Sequence, residues 1–593
     1  MESSRTTIDD DICIMVGGQG GDGSLTVTAL LAGLFRRRGL YVYSSRNVLS
    51  RIKGGHADGV VRASRNNIKC LGDHVKVVVA FDEEAVLAAK DDLDPYATII
   101  FDSSAGELDP TLVDNTVKIY NIPFTKLILA EIRKELFKNS ASFAVVGRLL
   151  GFPDEEMIQS LNARYGAKDA PILENNMRAF KIGLEWAEKN GLTAADSSST
   201  NTVDVKQKLL MTGNEAVSYG LLVGGVRFFA GYPITPATDV MEYLHKWFPK
   251  FGGVSKQAED ELSAINMALG AALAGARSVI ATSGPGISLI HEGLGQAGAA
   301  EIPLVIIDTQ RAGPSTGLPT KIEQSDLQTL VFGVHGEFPR LVLTPGSVED
   351  CFNIGRIAPN LAEMYQLPVI IAMDLGLCQN TVTIESLDLR SGKIDRGKRL
   401  TEEDLAKMPV YGRYSFTDDG VSPYTVPSTE NGRFLITGNE HDEFGHVSTD
   451  KLNRVKMMEK RSVKIKSALK DLPQGSVYGD ESSKIGIIGI GSTYGVILEA
   501  MAHLAREGVS SKYYKPLTIS PMEDAIGGFI DSCDEVHVVE QNQSGQLSNL
   551  IILKFGRPKR LHKILKFDGN LFRPREIAQK VMEFYEKESV IVH

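Results

Sequence analysis

Three times along this chain an apolar run breaks at a glycine turn and resumes as a helix. DICIMVGGQGGDGSLTVTALLAGLF stands near the N-terminus, SVIATSGPGISLIHEGLG in the middle and KIGIIGIGSTYGVILEAMAHLAREGV near the C-terminus. A helix between successive strands returns the chain for parallel pairing, and ligand loops then gather at the carboxyl ends of the strands. The pattern predicts an α/β fold of several doubly wound parallel-sheet domains. At 593 residues the chain exceeds a single core, so about two to four domains are expected. GLTAADSSSTNTVDVKQ, rich in Ser, Thr and Asp and without periodicity, marks a linker at 191–207. Ordered blocks are expected at 10–190, 208–380 and 484–593, with an extended connecting region of charged and turn residues at 381–483.

Composition narrows the function classes. With 64 Lys+Arg against 74 Asp+Glu the net charge is −10, which opposes a general nucleic-acid binder. No apolar segment is long enough to span a membrane. The first residues, MESSRTTIDDD, are polar and acidic, unlike a signal peptide. The five cysteines, Cys13, Cys70, Cys351, Cys378 and Cys533, form no C-x-x-C pair. Neither a zinc site nor an iron–sulfur cluster is expected within this chain, and no metal ligands are assigned. A reduced, cytoplasmic setting is expected.

In the first block a seven-residue loop, Gly17 to Gly23, carries five glycines and leads into a helix. Such a loop lets backbone approach a ligand, and the helix N-terminus favours an anion. A dinucleotide fingerprint would want an acidic residue after the next strand, but LYVYSSR ends in Ser44, Ser45 and Arg46. SRIKGGHADGVVRASR, Ser50 to Arg65, places four basic residues around a Gly-Gly turn. Together with Lys126 in NIPFTKL, they would suit a phosphorylated cofactor tail.

The middle block holds the most specific chemistry. In GYPITPATDV, two prolines end the apolar run GGVRFFAG and hold Tyr232 and Thr235 extended before a helix begins. A smooth helix around 257–275 carries Glu261, with Ile265 and Leu269 four and eight residues on, which places this carboxyl on a buried stripe. Glu259 and Asp260 are the candidates for solvent-facing charge at that helix start. Ser283-Gly284-Pro285-Gly286 reads as a tight loop. The strand PLVIIDTQR ends at Arg311, and a loop of prolines, glycines and hydroxyls runs on to Thr320. Thr235, Arg311 and Thr320 can therefore converge with Glu261. A guanidinium held with hydroxyls is a carboxylate receptor, and a buried Glu can hold or pass one proton.

GYPITPATD, the Glu261 helix, TSGPG and RAGPSTGLPTKIEQSDL resemble the alpha subunit of 2-oxoacid:acceptor oxidoreductases, the thiamine-diphosphate enzymes that convert 2-oxoacids to acyl-coenzyme A. GGQGGDG and SRIKGGH resemble the gamma subunit of that family, and GNEHDEFGH, GSTYGVILEAM and VEQNQSGQL its later segments. The nearest subgroup is the fused gamma–alpha chain of 2-oxoglutarate:ferredoxin oxidoreductases. The resemblance implies a gamma-type domain, a pyrimidine-type catalytic domain and a transketolase C-terminal-like domain. It implies that Glu261 meets the aminopyrimidine ring of thiamine diphosphate and activates the thiazolium carbon, beside Tyr232 and Pro233 of the same cofactor site. It implies that Thr235 and Arg311 contact the 2-oxoacid, that Thr320 selects among side chains, and that Lys126 lies near coenzyme A. It further implies a beta subunit bearing Mg²⁺, the cofactor diphosphate and a [4Fe-4S] cluster, ferredoxin as electron acceptor, and a dimer of alpha–beta heterodimers.

Three other readings remain at this point: the same reaction on pyruvate or a branched or aryl 2-oxoacid, a stand-alone nicotinamide oxidoreductase, and a non-catalytic binding protein. The missing acidic residue after LYVYSS opposes the second, and the joint presence of Glu261, Thr235 and Arg311 opposes the third.

Overall fold

A computed structural model describes residues 11–48, 55–192 and 208–591, with side chains to 585. Arg51 and Lys53, and nearly all of the expected linker (193–207), lie outside the described residues. The chain forms two compact units, one of residues 1–211 with 380–386 and one of 212–379 with 387–593.

The first unit is built on an eight-stranded sheet. Its order is Lys118–Ile122, Leu93–Asp102, Val75–Ala80, Asp11–Gln19, His56–Ser64, Tyr41–Val48, Thr381–Ile384 and Leu209–Thr212. The strands from Lys118–Ile122 to Asp11–Gln19 run parallel, as the sequence pattern requires. The pairings of His56–Ser64 with both of its neighbours are antiparallel, so this sheet is mixed rather than wholly parallel. All nine residues of His56–Ser64 are buried, which hides the alternation that would mark a strand. The expected loop from Gly17 is also shorter. Gly17 and Gly18 lie within a strand, opposite Asp58 and Ala57. A Cβ at Gly17 would stand 2.8 Å from the Cβ of Ala85, so this glycine admits the helix Glu83–Ala89 against the sheet.

The second unit has two sheets. The larger has the order Thr518–Ser520, Leu341–Leu343, Pro368–Asp374, Leu304–Gln310, Ser278–Thr282, Phe228–Gly231 and Val254–Gln257. It is parallel except at its Thr518–Ser520 edge. The smaller orders Ser476–Gly479, Lys512–Lys515, Ile485–Gly489, Glu535–Glu540 and Leu561–Leu565, parallel except at its Ser476–Gly479 edge. One hydrophobic core joins them, with Ile280, Ile306 and Ile370 in the same cluster as Ile488, Val536 and Ile551. A buried polar lock fixes the join. Gln324 Nε2 donates to Asp374 Oδ2 (2.8 Å) and to the Ile490 carbonyl (2.9 Å), and its Oε1 accepts from the Gln541 amide (3.2 Å). The GIGS turn belongs to this lock. The Ser492 amide donates to Asp374 Oδ2 at 2.8 Å, and a Cβ on Gly491, whose φ is +60°, would collide with the same oxygen.

The region 381–483 holds an 18-residue helix, Lys451–Ala468, that apolar periodicity does not reveal. Its buried face includes Lys460 and Lys464, both bound to the fully buried Glu301, Lys460 at 2.5 Å. Arg413 donates from Nη2 to the Glu301 carbonyl at 2.8 Å. A carboxylate so deep is tolerable only with such partners.

Candidate functional site

The strand Phe228–Gly231 ends where the prolines begin, and the helix Thr238–Trp247 starts two residues after Pro236. The connecting loop is tied by two hydrogen bonds before the helix. The Thr238 amide donates to the Ile234 carbonyl (3.0 Å), and Asn214 Nδ2, itself buried, donates to the Pro236 carbonyl (2.9 Å). The Thr235–Pro236 peptide is cis. Thr235 and Pro233 are half-buried, and Tyr232 is exposed.

Glu261 is the first residue of the helix Glu261–Leu273. The helix is shorter than the 257–275 expected, because Val254–Gln257 is a strand and Asp260 caps the helix by accepting from the Ser263 amide at 2.7 Å. Glu259 is exposed, whereas Glu261 is 6% exposed above the buried Ile265 and Leu269. Its Oε1 accepts from Thr282 Oγ1 at 3.5 Å. The Ser283–Gly286 segment is not a free loop: Gly284–Leu289 forms a short helix, with Pro285 in the first turn, where no amide is needed. A Cβ on Gly286 would stand 2.7 Å from Glu261 Oε1 and would collide with Thr282 Oγ1. Glycine is therefore needed here to leave room for the carboxyl.

Arg311 follows the fully buried strand Leu304–Gln310. It is 8% exposed, and its Nη1 donates to the Thr235 carbonyl at 2.7 Å. Arg311 thus reaches Thr235 through the backbone carbonyl. Its Nε is buried without a hydrogen-bond partner among the described residues, and burial lowers the guanidinium pKa from its usual value. Thr320 lies in the next loop, which closes by the Ala312–Leu318 bridge and the Ala312 amide bond to the Lys321 carbonyl (2.9 Å). It is half-buried, and among the described residues no hydrogen bond joins it to Thr235 or Arg311.

Two carboxyls in this site were not singled out from sequence. Asp308 sits in the strand Leu304–Gln310, opposite Thr282 and Ala372 of its neighbours, and is fully buried with neither oxygen hydrogen-bonded among the described residues. Burial, then the nearby Asp326, raises its pKa well above the usual carboxyl value. The Asp326 amide donates to Gln310 Oε1 at 3.1 Å, and its Oδ2 is buried without a partner. Burial and Glu323 raise the Asp326 pKa to about 6 against the opposing pull of Arg311. The available signal was an acidic residue inside the apolar run PLVIID, which a strand buried on both faces does not accept without cause.

The first unit modifies the expected basic cluster. Arg62 is buried in its strand and paired with Asp11, its Nε at 2.9 Å, so it serves the sheet. Among the described residues, a cation beside the glycine turn is Lys138, buried and bound to Asp22 at 2.9 Å, with its ammonium over the Phe81 ring. Lys126 is exposed on the first turn of the helix Phe124–Glu131, and its amide donates to Ser104 Oγ at 3.0 Å.

The residues of the second unit fit the pyrimidine end of thiamine diphosphate. Glu261 is buried, fixed at a helix start and hydrogen-bonded at one oxygen, and the Gly286 cradle keeps the space beside it open. Among the described residues no group of three His, Cys, Asp or Glu side chains is arranged to hold a metal ion, and no helix is long and apolar enough to cross a membrane.

The chain is similar to known proteins along nearly its whole length. Residues 219–461 match the family described as pyruvate flavodoxin/ferredoxin oxidoreductase, thiamine diP-bdg, and residues 13–186 match pyruvate ferredoxin/flavodoxin oxidoreductase. The 2-oxoacid:ferredoxin oxidoreductase subunit alpha of Saccharolobus solfataricus is 30% identical, over 98% of this chain and 99% of its own length. The 2-oxoglutarate synthase subunit KorA of Methanothermobacter marburgensis is 32% identical, over 63% of this chain and 99% of its own. Among solved structures, the 2-oxoglutarate:ferredoxin oxidoreductase of Magnetococcus marinus, with 2-oxoglutarate, coenzyme A and succinyl-CoA bound, superposes with a TM-score of 0.89 at 36% identity, covering 97% of this chain and 99% of that one.

Proposed function

This chain belongs to the 2-oxoacid:ferredoxin oxidoreductase family as an alpha subunit, and from that premise we propose that it serves the interconversion of 2-oxoglutarate plus coenzyme A with succinyl-CoA plus CO2. The observation that carries the reading is that a buried Glu261, the tied Thr235 loop and Arg311, which bonds that loop, all follow the carboxyl ends of parallel strands of one sheet. The choice of 2-oxoglutarate is favoured by the KorA relatives and the Magnetococcus marinus enzyme. Pyruvate, named in the matching family descriptions, is the second reading.

Thiamine diphosphate, when bound, supplies the nucleophilic carbon and the electron sink for loss of CO2. Glu261 holds the proton that the aminopyrimidine exchanges, fixed by its helix start and by Thr282. Arg311 binds the 2-oxoacid carboxylate. The sheet fixes its backbone and the Thr235 carbonyl its fork, so little ordering is left for substrate binding. Thr320, on the loop beyond two prolines, faces the variable end of the substrate, and Tyr232 and Pro233 border the cofactor. Lys126 contributes its charge to coenzyme A.

We assign Mg²⁺, the cofactor diphosphate and a [4Fe-4S] cluster to a beta subunit, electrons to ferredoxin, and the assembly to a cytoplasmic dimer of alpha–beta heterodimers. The test is a panel of 2-oxoglutarate, pyruvate, and branched and aryl 2-oxoacids on the purified complex, following acyl-CoA formation. Highest kcat/KM on 2-oxoglutarate supports the reading, and highest kcat/KM on pyruvate replaces it with the second.

A further inference from the structure

Buried polar atoms without partners gather at one place in the second unit. Both oxygens of Asp308, Oδ2 of Asp326, the hydroxyl of Ser283 and Nε of Arg311 are all buried and have no hydrogen-bond partner among the described residues. They lie at the ends of the two strands Ser278–Thr282 and Leu304–Gln310 and on the segment that follows, which returns at Asp326 to bond Gln310. The backbone is moulded to this group: a Cβ on Gly284 would stand 2.8 and 2.9 Å from the two Asp326 oxygens. The preceding Thr282 donates to Glu261, so one strand end touches both the proposed proton carrier and the carboxyl pair.

Two carboxylates cannot both stay ionised in such a setting. Asp308 is fully buried and has no hydrogen bond among the described residues, which disfavours its charged form, and a second charge nearby disfavours it further. A charge on Asp326 therefore opposes loss of the Asp308 proton. The other charged groups that bear on Asp326 are Glu323, on the same segment, and Arg311. The nearby helices Gly284–Leu289 and Leu327–Phe332 carry no ionisable side chain, Glu261 on the third is bonded to Thr282, and Asp374 on the next strand is held by Gln324 and Ser492.

We propose that at neutral pH Asp308 and Asp326 keep one proton between them, carried by Asp308, and that this pair is a positioning device for the 2-oxoacid site: the negative charge on Asp326, removed when a second proton binds in acid, sets how strongly Arg311 holds the substrate carboxylate. With Asp326 ionised, part of the Arg311 charge is answered within the protein and the substrate anion meets a negative neighbour. With Asp326 protonated, the guanidinium faces the substrate carboxylate alone. No covalent step is involved. Only the link to the 2-oxoacid rests on the proposed function.

Two measurements on the assembled complex test the pair. Infrared difference spectra of the wild type against Asp308→Asn, at about pH 7.5, read the carbonyl stretch of a protonated carboxyl and need no turnover. The expected result is one such band in the wild type, absent from Asp308→Asn and retained in Asp326→Asn. Absence of the band from the wild type overturns the proposal whether or not the complex oxidises a 2-oxoacid. The second measurement is KM for the 2-oxoacid against pH. In the wild type KM should rise about tenfold between about pH 5 and pH 8, the effect of one charge several Å away in a partly screened site. In Asp326→Asn it should stay flat at the lower value, with kcat changed less than KM. A pH course of KM that is the same in Asp326→Asn as in the wild type overturns the role assigned to the charge. Asp326→Asn retains the Gln310 contact through its backbone amide, so this arm remains readable if Asp308→Asn fails to fold.

Discussion

Glu261→Gln separates a proton carrier from a merely buried carboxyl. Glutamine has the same shape and can still accept the Thr282 hydroxyl, a bond of 3.5 Å. Packing on Ile265 and Leu269 is untouched, and the Gly286 cradle needs no adjustment. Stability should therefore stay within about 1 kcal/mol of the wild type, since at most one long hydrogen bond is altered. Only the exchangeable proton is lost, which should cut kcat by about 10²–10⁴-fold, or roughly 3–5 kcal/mol of barrier. KM for the 2-oxoacid should move little, because the Arg311–Thr235 contact does not pass through Glu261. The assay is acyl-CoA formation by the reconstituted complex, with thermal unfolding in parallel. Glu259→Gln is the control: this side chain is exposed, and its loss should change turnover by less than about twofold. Turnover within tenfold of wild type for a folded Glu261→Gln would refute the assignment.

Arg311→Lys loses the planar fork and the bond to the Thr235 carbonyl, and should lower kcat/KM about tenfold for 2-oxoglutarate and pyruvate alike. Thr320→Ala should instead change the ratio between those two substrates; an Arg311→Lys that shifts the ratio while Thr320→Ala lowers both rates equally would exchange the two roles. Lys126→Ala should raise the apparent CoA constant roughly tenfold with the 2-oxoacid constant unchanged, and equal effects on both would return Lys126 to ordinary surface charge. Glu301→Gln strands Lys460 and Lys464 in the interior and should cost about 3–5 kcal/mol, read by denaturant unfolding. The two lysines and Arg413 hold the Glu301 pKa, against burial, far below the ordinary 4.5. The stabilisation from this carboxylate is complete above that value and is lost as pH falls below it, so the wild type should lose stability in acid more steeply than Glu301→Gln.

Much of the site was legible in sequence because local rules and tertiary packing agree there. The prolines of GYPITP end a strand and start a helix with little help from the rest of the chain, and the Glu261–Ile265–Leu269 stripe is a helical repeat that the buried face confirms. What escaped depends on distant partners. His56–Ser64 is buried on both faces and shows no alternation, and Thr381–Ile384 completes its sheet from more than three hundred residues away. Lys451–Ala468 buries lysines rather than leucines, so an apolar repeat could not show it; Glu301 makes that face acceptable. The bond from Arg311 to the Thr235 carbonyl was not legible, because it joins residues 76 apart through a backbone atom that no side-chain pattern marks.

The central claim, that this chain supplies half of a shared thiamine-diphosphate site for 2-oxoglutarate, is tested most directly by reconstitution. The alpha chain, the beta chain and the two together are each given 2-oxoglutarate, coenzyme A, thiamine diphosphate, Mg²⁺ and oxidised ferredoxin, and succinyl-CoA is measured. The account predicts product only from the combined chains, and its loss when Glu261→Gln replaces the wild-type alpha chain. Succinyl-CoA formed by the alpha chain alone, or by the combined chains irrespective of Glu261, would contradict it.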